Sequence, residues 1–396
     1  MRIFVLLSRI PYPLEKGDKL RAFHQIKVLS EKHEIILCAL NPLPKADKQK
    51  AFEQLQPYCR SINFIDLPAY GRAVNILRAY FLGFPLQSGY FYSRRANRKI
   101  KALIAEYHPD HLFAQLSRTA RYLMDVPVAK TLDYQDAFSF GLKRRADNAG
   151  WLMKPVFRLE YKRMEAFEKK IFDLFDQKII ISEQDRDLIP HPEKRAITVI
   201  RNGVDMEFFH PLSRKKNREI VFTGNMKYPP NVDAAQFLAK EIMPLVWQEK
   251  PETRLLLAGA SPHRKVRNLG NEKIKVSGWM DDIREAYAGS DVFIAPMRMG
   301  SGLQNKLLEA MAMKIPCVTT PLANAALEAK ENEEILTGSS AKELADALLF
   351  LLENREEGQK LSEKAFVFVK QNYRWKEATA PFEKLIRDVS LTKQVH

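Results

Sequence analysis

Short apolar runs alternate with longer amphipathic ones along this chain, and the alternation starts afresh halfway. A short apolar run bounded by turn residues reads as a strand buried on both faces, and the amphipathic run after it as a covering helix. The repeat therefore calls for βαβ units and parallel sheets. In the first half the pattern predicts strands at Ile3–Leu7, Glu34–Leu40, Ser61–Ile65, His111–Ala114, Val128–Leu132 and Gln177–Ile181. A helix over Lys19–Leu29 turns Leu20, Phe23, Ile26 and Leu29 toward the sheet. A long charged helix is predicted over 151–176, with Trp151, Phe157, Tyr161, Met164, Phe167 and Ile171 near helical spacing. In the second half strands are predicted at Glu219–Thr223, Arg254–Ala258, Ile274–Val276, Val292–Ala295 and Pro316–Thr319. Helices are predicted at Val232–Ile242, Asp282–Tyr287, Leu303–Met311, Lys342–Glu353 and Arg355–Val369. Between the halves lie Asn202-Gly203, Pro211 and a polar stretch to Arg218, which reads as a linker. The fold class is α/β: one architecture built twice, as two Rossmann-like domains facing a cleft, divided as 1–205 and 206–375.

The chain's 396 residues exceed the size at which one core keeps growing, and 46% apolar and 10% aromatic residues suffice for two. That composition excludes disordered, collagen-like and coiled-coil chains. The net charge is +15, from 63 Lys and Arg against 48 Asp and Glu, and it favours an anionic partner: nucleotide, nucleic acid or acidic membrane. Residues 1–211 hold 35 basic and 24 acidic residues, net +11, leaving net +4 for the rest. Cys38, Cys59 and Cys317 are too few and scattered for a zinc site or a disulfide framework, which suits a reducing compartment. The apolar start Ile3–Leu7 runs into Ser8-Arg9 with no small-residue cleavage site, so it reads as a buried strand and not a signal peptide. No window approaches the roughly 18–20 apolar residues that span a bilayer. The expectation is a cytoplasmic protein, with at most a peripheral contact on the inner face of the cytoplasmic membrane.

The most informative segment runs from Pro296 to Ala312 and follows a predicted strand, at the edge where open α/β sheets bind ligands. Gly300 and Gly302 flank Ser301 and allow close backbone approach, and the helix beginning near Leu303 points N–H groups and its positive dipole end into the loop. Arg298 precedes the turn and Lys306 lies one helical turn inside, which together make a diphosphate site. Glu309, three residues beyond Lys306, shares its helix face and can accept hydrogen bonds from ribose hydroxyls. The competing reading is an ordinary glycine turn with Lys306 and Glu309 as a surface pair. A second candidate, Phe222-Thr223-Gly224-Asn225-Met226-Lys227-Tyr-Pro-Pro-Asn231, is the first strand-to-helix turn of the second half, where backbone N–H groups and Lys227 can meet a ligand; its competing reading is a plain βα loop. Neither half has the full Gly-x-Gly-x-x-Gly fingerprint, so a dinucleotide cofactor is not expected.

From Asn202-Gly203-Val204-Asp205 to about Trp375 these pieces resemble, in order, the nucleotide-sugar half of GT-B glycosyltransferases of family 4. After the linker come Phe222-Thr223-Gly224-Asn225, Leu256-Leu257-Ala258-Gly259 and Val276-Ser277-Gly278-Trp279. Then follow Asp291-Val-Phe-Ile-Ala-Pro296 and Leu307-Leu-Glu-Ala-Met-Ala-x-x-x-Pro316. Tyr228-Pro-Pro-Asn-Val-Asp233 and Arg298-x-Gly-Ser-Gly-Leu303 are most similar to bacterial exopolysaccharide-associated sugar transferases. The resemblance implies transfer of a sugar from a nucleoside-diphosphate sugar to a glycan or lipid-linked acceptor, with retained anomeric configuration. It implies no metal or other cofactor: Arg298, Lys306 and Lys227 with the glycine loop would stabilise the leaving diphosphate. Base contacts would come from Gly278, Trp279 and Met280, ribose contacts from Glu309, and a final helix over 376–396 would cross back to the first domain.

The sequence departs from the family at three places. Ser301 stands where many members carry the first Glu of Glu-x₇-Glu, Asn225 where many carry Arg, and Asp133 near the position of a histidine that faces the donor sugar. In the first half Gly17 is placed to approach the diphosphate, with Asp18 or Arg21 near the acceptor. The stretch Tyr70–Lys101 interleaves aromatic and basic residues, which fits either an anionic bilayer interface or a core aromatic cluster beside a solvated basic helix. Two other functions remain open on these residues. A nucleotide-sugar epimerase would use the same scaffold, and a nucleic-acid-binding protein would use the +15 charge, although no zinc finger or recognition-helix motif accompanies it.

Overall fold

The computed structural model describes residues 1–42, 47–213, 219–299 and 302–394. The chain divides into two compact units, Met1–Arg201 with the chain from Thr379 onward, and Asn202–Ala378. Among the described residues no helix is long and apolar enough to cross a membrane.

The first unit is built on a parallel sheet of β1 (Arg2–Leu7), β2 (Glu34–Asn41), β3 (Ser61–Asp66), β4 (His111–Gln115), β5 (Lys130–Asp133), β6 (Gln177–Ile180) and β7 (Thr198–Val199). Their order is β3-β2-β1-β4-β5-β6-β7, with Ile3 opposite Ile35 and Val5 opposite Leu37. Side chains of a strand alternate between faces, so β1 feeds two separate layers. Ile3, Val5 and Leu7 pack with Phe23 and Ile26 of the helix Gly17–Leu29. Phe4 and Leu6 pack on the other face with Ile100, Met164 and Phe167, from the helices Arg94–Tyr107 and Lys154–Leu174. The last helix, Trp375–Gln394, begins in the second unit, but Phe382 and Ile386 are buried in the first unit's layer, with Phe382 4.8 Å from Phe113.

The second unit repeats the path with β8 (Glu219–Thr223), β9 (Arg254–Ala258), β10 (Ile274–Gly278), β11 (Val292–Ala295), β12 (Cys317–Thr319) and β13 (Leu336–Thr337). The order is β10-β9-β8-β11-β12-β13, again parallel. In both sheets the first strand lies between the second and the fourth, so the chain reverses direction across the sheet beside β1 and beside β8. At such a reversal the flanking loops part and leave a crevice at the carboxyl ends of the strands.

The predicted strands form within a residue or two of their expected ends. The two-residue edge strands β7 and β13 were not predicted, being too short to show any period. The long helix starts at Lys154, with Pro155 in its first turn, which leaves Trp151–Met153 outside it. The helix expected from Leu303 starts at Asn305.

Candidate active site

At the carboxyl edge of the second sheet the first, second and third strands end on Gly224, Gly259 and Gly278. The Gly224 N–H donates to Ala258 O (3.0 Å) and the Gly259 N–H to Gly278 O (3.2 Å). A Cβ on Gly259, whose φ is +139°, would lie 1.9 Å from the Gly224 carbonyl oxygen, so only glycine lets these strand ends close up.

Lys306 comes to this edge from the first turn of the helix Asn305–Ala312. Its ammonium donates to Asn231 Oδ1 (2.6 Å) and lies 4.7 Å from the Phe222 ring centroid, while Asn231 Nδ2 donates to the Asn225 carbonyl (2.9 Å). A Cβ at Gly224 would fall 3.3 Å from Lys306 Nζ, which shows how near the glycine turn and the ammonium are. Burial pushes the Lys306 pKa down to about 7, against the raising influence of Glu309.

Glu309, one turn further, is held by a different chain of bonds. The fully buried Tyr287 hydroxyl donates to Glu309 Oε2 (2.6 Å) and is itself 2.7 Å from Thr223 Oγ1 at the end of β8. Tyr287 has one proton to give, so Thr223 supplies the proton of the second bond. Burial raises the Glu309 pKa, partly offset by the Tyr287 hydrogen bond and Lys306. Among the described residues nothing bonds to its other oxygen, Oε1. The structure thus brings Gly224, Asn225, Lys306 and Glu309 together at the crevice between β8 and β11.

The other expected residues are placed differently. Arg298 is exposed and turned to Asp233, with Nε at 3.1 Å and Nη2 at 2.8 Å from the carboxylate, and it stacks 4.2 Å from Phe237. Much of its charge is offset there. Lys227 is exposed on the same turn as Asn225, whose side chain accepts the Lys227 N–H (3.1 Å). Trp279 is 62% exposed after Gly278, its Nε1–H donating to Asp281 (3.2 Å), while Met280 and Leu303 pack against the core. Gly302 O accepts from Gln304 Nε2 (2.8 Å); Gly300 and Ser301 lie outside the described residues.

In the first unit, Gly17 opens the helix Gly17–Leu29, with no atom within 4 Å of where a Cβ would stand. Asp133 ends β5 with none of its side chain exposed. Arg21 Nε donates to Oδ2 (2.6 Å) and the Gln135 N–H to Oδ1 (3.1 Å), while Arg21 also holds Ile200 O (2.8 Å). Asp133, expected as a catalytic residue, is thus enclosed, its carboxylate bonded to Arg21 and to the Gln135 backbone. Asp136, three residues on, is the exposed carboxylate of that loop.

Asp233 and Tyr287 carry supporting bonds of the site and were not expected from the sequence as site residues, whereas Asn231 closes the second candidate turn. Only the order of motifs around them hinted at their place.

Residues 217–354, within the second unit, match the model of a family described as Glycosyl transferases group 1. A 44.6 kDa protein of the cps region of Klebsiella pneumoniae is 23% identical over 94% of this chain and 96% of its own. Among solved structures, sucrose-phosphate synthase from Thermosynechococcus elongatus superposes with a TM-score of 0.71 at 15% identity, covering 99% of this chain and all of that one. HepE from Anabaena, solved with UDP and glucose, gives 0.67 at 13% identity, covering 97% of this chain and 99% of that one. The fold is that of the GT-B glycosyltransferases, with two Rossmann-like halves.

Proposed function

We propose that the chain is a retaining glycosyltransferase of family 4 that moves a sugar from a nucleoside-diphosphate sugar to a glycan or lipid-linked acceptor in bacterial cell-surface polysaccharide assembly. The observation that carries this reading is the meeting of Lys306, Asn231 and Gly224 with Glu309 at the crevice between β8 and β11, inside the glycosyltransferase group 1 match. The relative from a cps region supports the polysaccharide context. Peripheral contact with the inner face of the cytoplasmic membrane belongs to the same reading.

Transfer breaks the bond from the anomeric carbon to the diphosphate and forms one to the acceptor oxygen, whose proton passes to the leaving diphosphate. The leaving group gathers negative charge as the bond lengthens, and a preorganised cation with a helix N-terminus stabilises it most where water is scarce. Lys306 stands in the first turn of its helix, its amine held between Asn231 and the Phe222 ring. A diphosphate at Lys306 would restore full protonation of the amine, so no metal is required in this reading. Glu309, fixed through Oε2 by Tyr287, offers Oε1 to ribose hydroxyls. Gly278, Trp279 and Met280 are assigned to the base. Lys227 and Arg298 are secondary cations, Arg298 acting only where it leaves Asp233.

Glu309→Ala and Lys306→Ala should each lower kcat by about 10²–10³, the usual loss for one electrostatic stabiliser, with an unchanged circular-dichroism spectrum. The donor is found first by thermal shift against UDP-, GDP-, ADP- and CDP-sugars, then used in a transfer assay. Wild-type rates from both variants would overturn the donor-site assignment. Conversion of the donor sugar without any acceptor would identify an epimerase on the same scaffold instead.

A further inference from the structure

One helix of the first unit wears its apolar stripe on the outside. Tyr70, Val74, Leu77 and Phe81 of the helix Ala69–Phe81 follow one another at spacings of four, three and four, so they share a face. Their exposures are 78, 62, 61 and 81%. The helix is not free to roll that face inward, because its opposite side is locked. A Cβ on Gly89 of the helix Leu86–Phe91 would stand 2.4 Å from Ala79 Cβ and 2.8 Å from the Asn75 carbonyl. Arg72 also ties the helix to the carbonyl of Pro42 and to the Tyr90 hydroxyl.

A second exposed apolar run lies alongside. Trp151 is 82% and Leu152 67% exposed, and Val156 and Leu159 continue the run along the helix Lys154–Leu174. The two runs are joined. Arg163 stacks 4.6 Å from the Tyr80 ring, and Glu160 accepts the backbone N–H groups of Leu86 (2.9 Å) and Gln87 (3.2 Å). The remaining aromatics of the neighbourhood face inward: Phe91 is buried, Phe84 packs on Phe167 and Tyr92 on Tyr122.

The charge around this face is mostly basic. No Asp or Glu occurs between Asp66 and Glu106, where there are seven Lys and Arg, and Lys154, Arg158 and Lys162 edge the second run. We propose that the helix Ala69–Phe81 and residues 151–159 form a docking face for an anionic lipid bilayer, with Phe81 and Trp151 entering the headgroup boundary. Apolar and indole side chains rimmed by Lys and Arg suit that boundary. A second copy of the chain fits worse, since a two-fold contact through this face would set basic rim against basic rim. Nucleic acid would leave the apolar stripe uncovered. The inference deepens the membrane part of the function proposed above but stands on a face remote in sequence from the donor residues, so either can fail alone.

The test is flotation of the full chain with phosphatidylcholine vesicles, with and without about one-third phosphatidylglycerol. The chain should float with the anionic vesicles alone. Leu77→Asp/Phe81→Asp and Trp151→Asp should each cut bound protein at least about tenfold while keeping the wild-type thermal shift with nucleotide sugar. Trp151 fluorescence should shift to the blue with anionic vesicles, and Trp151→Phe should remove that shift. Failure of the wild type to float, or equal flotation of the Asp variants, overturns the proposal. So does a solution dimer that the Asp variants split while vesicle binding stays the same. Flotation without transfer activity would leave the docking face intact and sink only the transferase reading.

Discussion

The ammonium of Lys306 sits between Asn231 Oδ1 and the face of Phe222, and its pKa of about 7 divides it between charged and neutral forms at neutral pH. A diphosphate binds the charged form, so binding must draw in a proton once the pH passes that value. With UDP as the probe, affinity should be about fivefold weaker at pH 8 than at pH 7, because the protonated fraction falls by that factor. Calorimetry in buffers of different ionisation enthalpy should show proton uptake on binding at pH 8, and Lys306→Met should abolish both effects. A flat profile for the wild type would deny Lys306 contact with the diphosphate. Lys306 and Glu309 were legible in the sequence because three residues on a helix are neighbours by geometry. Their supports were not: Tyr287 reaches Glu309 across 22 residues and Asp233 meets Arg298 across 65. Local spacing says nothing of such pairs, so Arg298 read as a ligand cation when its nearest anion is part of the protein. The partner of Asp133 was hidden for the same reason, Arg21 lying 112 residues away.

The elements themselves were easier to read than their ends. A strand buried on both faces must be a continuous apolar run, and β1, β2, β8 and β9 announce themselves so; β7 and β13, with two residues each, carry too little pattern. The glycines at the strand ends belong to this scale, because they set how closely neighbouring turns approach. Gly259→Ala places a methyl 1.9 Å from the Gly224 carbonyl at a φ of +139°, so the two turns must separate. The loss of stability, read from urea unfolding, should be at least about 3 kcal/mol, with nucleotide binding weakened in parallel. An alanine variant as stable as the wild type would mean that the turns are not held by this contact. The aromatic and basic stretch of the first half shows the limit of pattern reading at this scale. Its composition fitted both a core cluster and an exposed face, and the structure assigns some residues to each, Phe91 inside and Phe81 outside.

At the scale of the molecule, the two halves trace the same path through their sheets, which the restart of the alternation foretold. The last helix breaks the correspondence between sequence and unit. Phe382 is fully buried against Phe113, so Phe382→Ala should cost about 3–5 kcal/mol, measured on the chain's unfolding by denaturant. A loss below about 1 kcal/mol would show that this helix adds little to the first unit's core. The placement of Phe382 and Ile386 has a further consequence for synthesis. The first unit is translated up to Arg201, yet two side chains of its inner layer emerge only after the whole second unit has been made. At about 5–20 residues per second that interval lasts roughly 10 to 35 s. During it the nascent first unit presents bare apolar surface around Phe113, where a chaperone can bind or a neighbouring ribosome's product can stick, while the second unit has all of its own residues to hand.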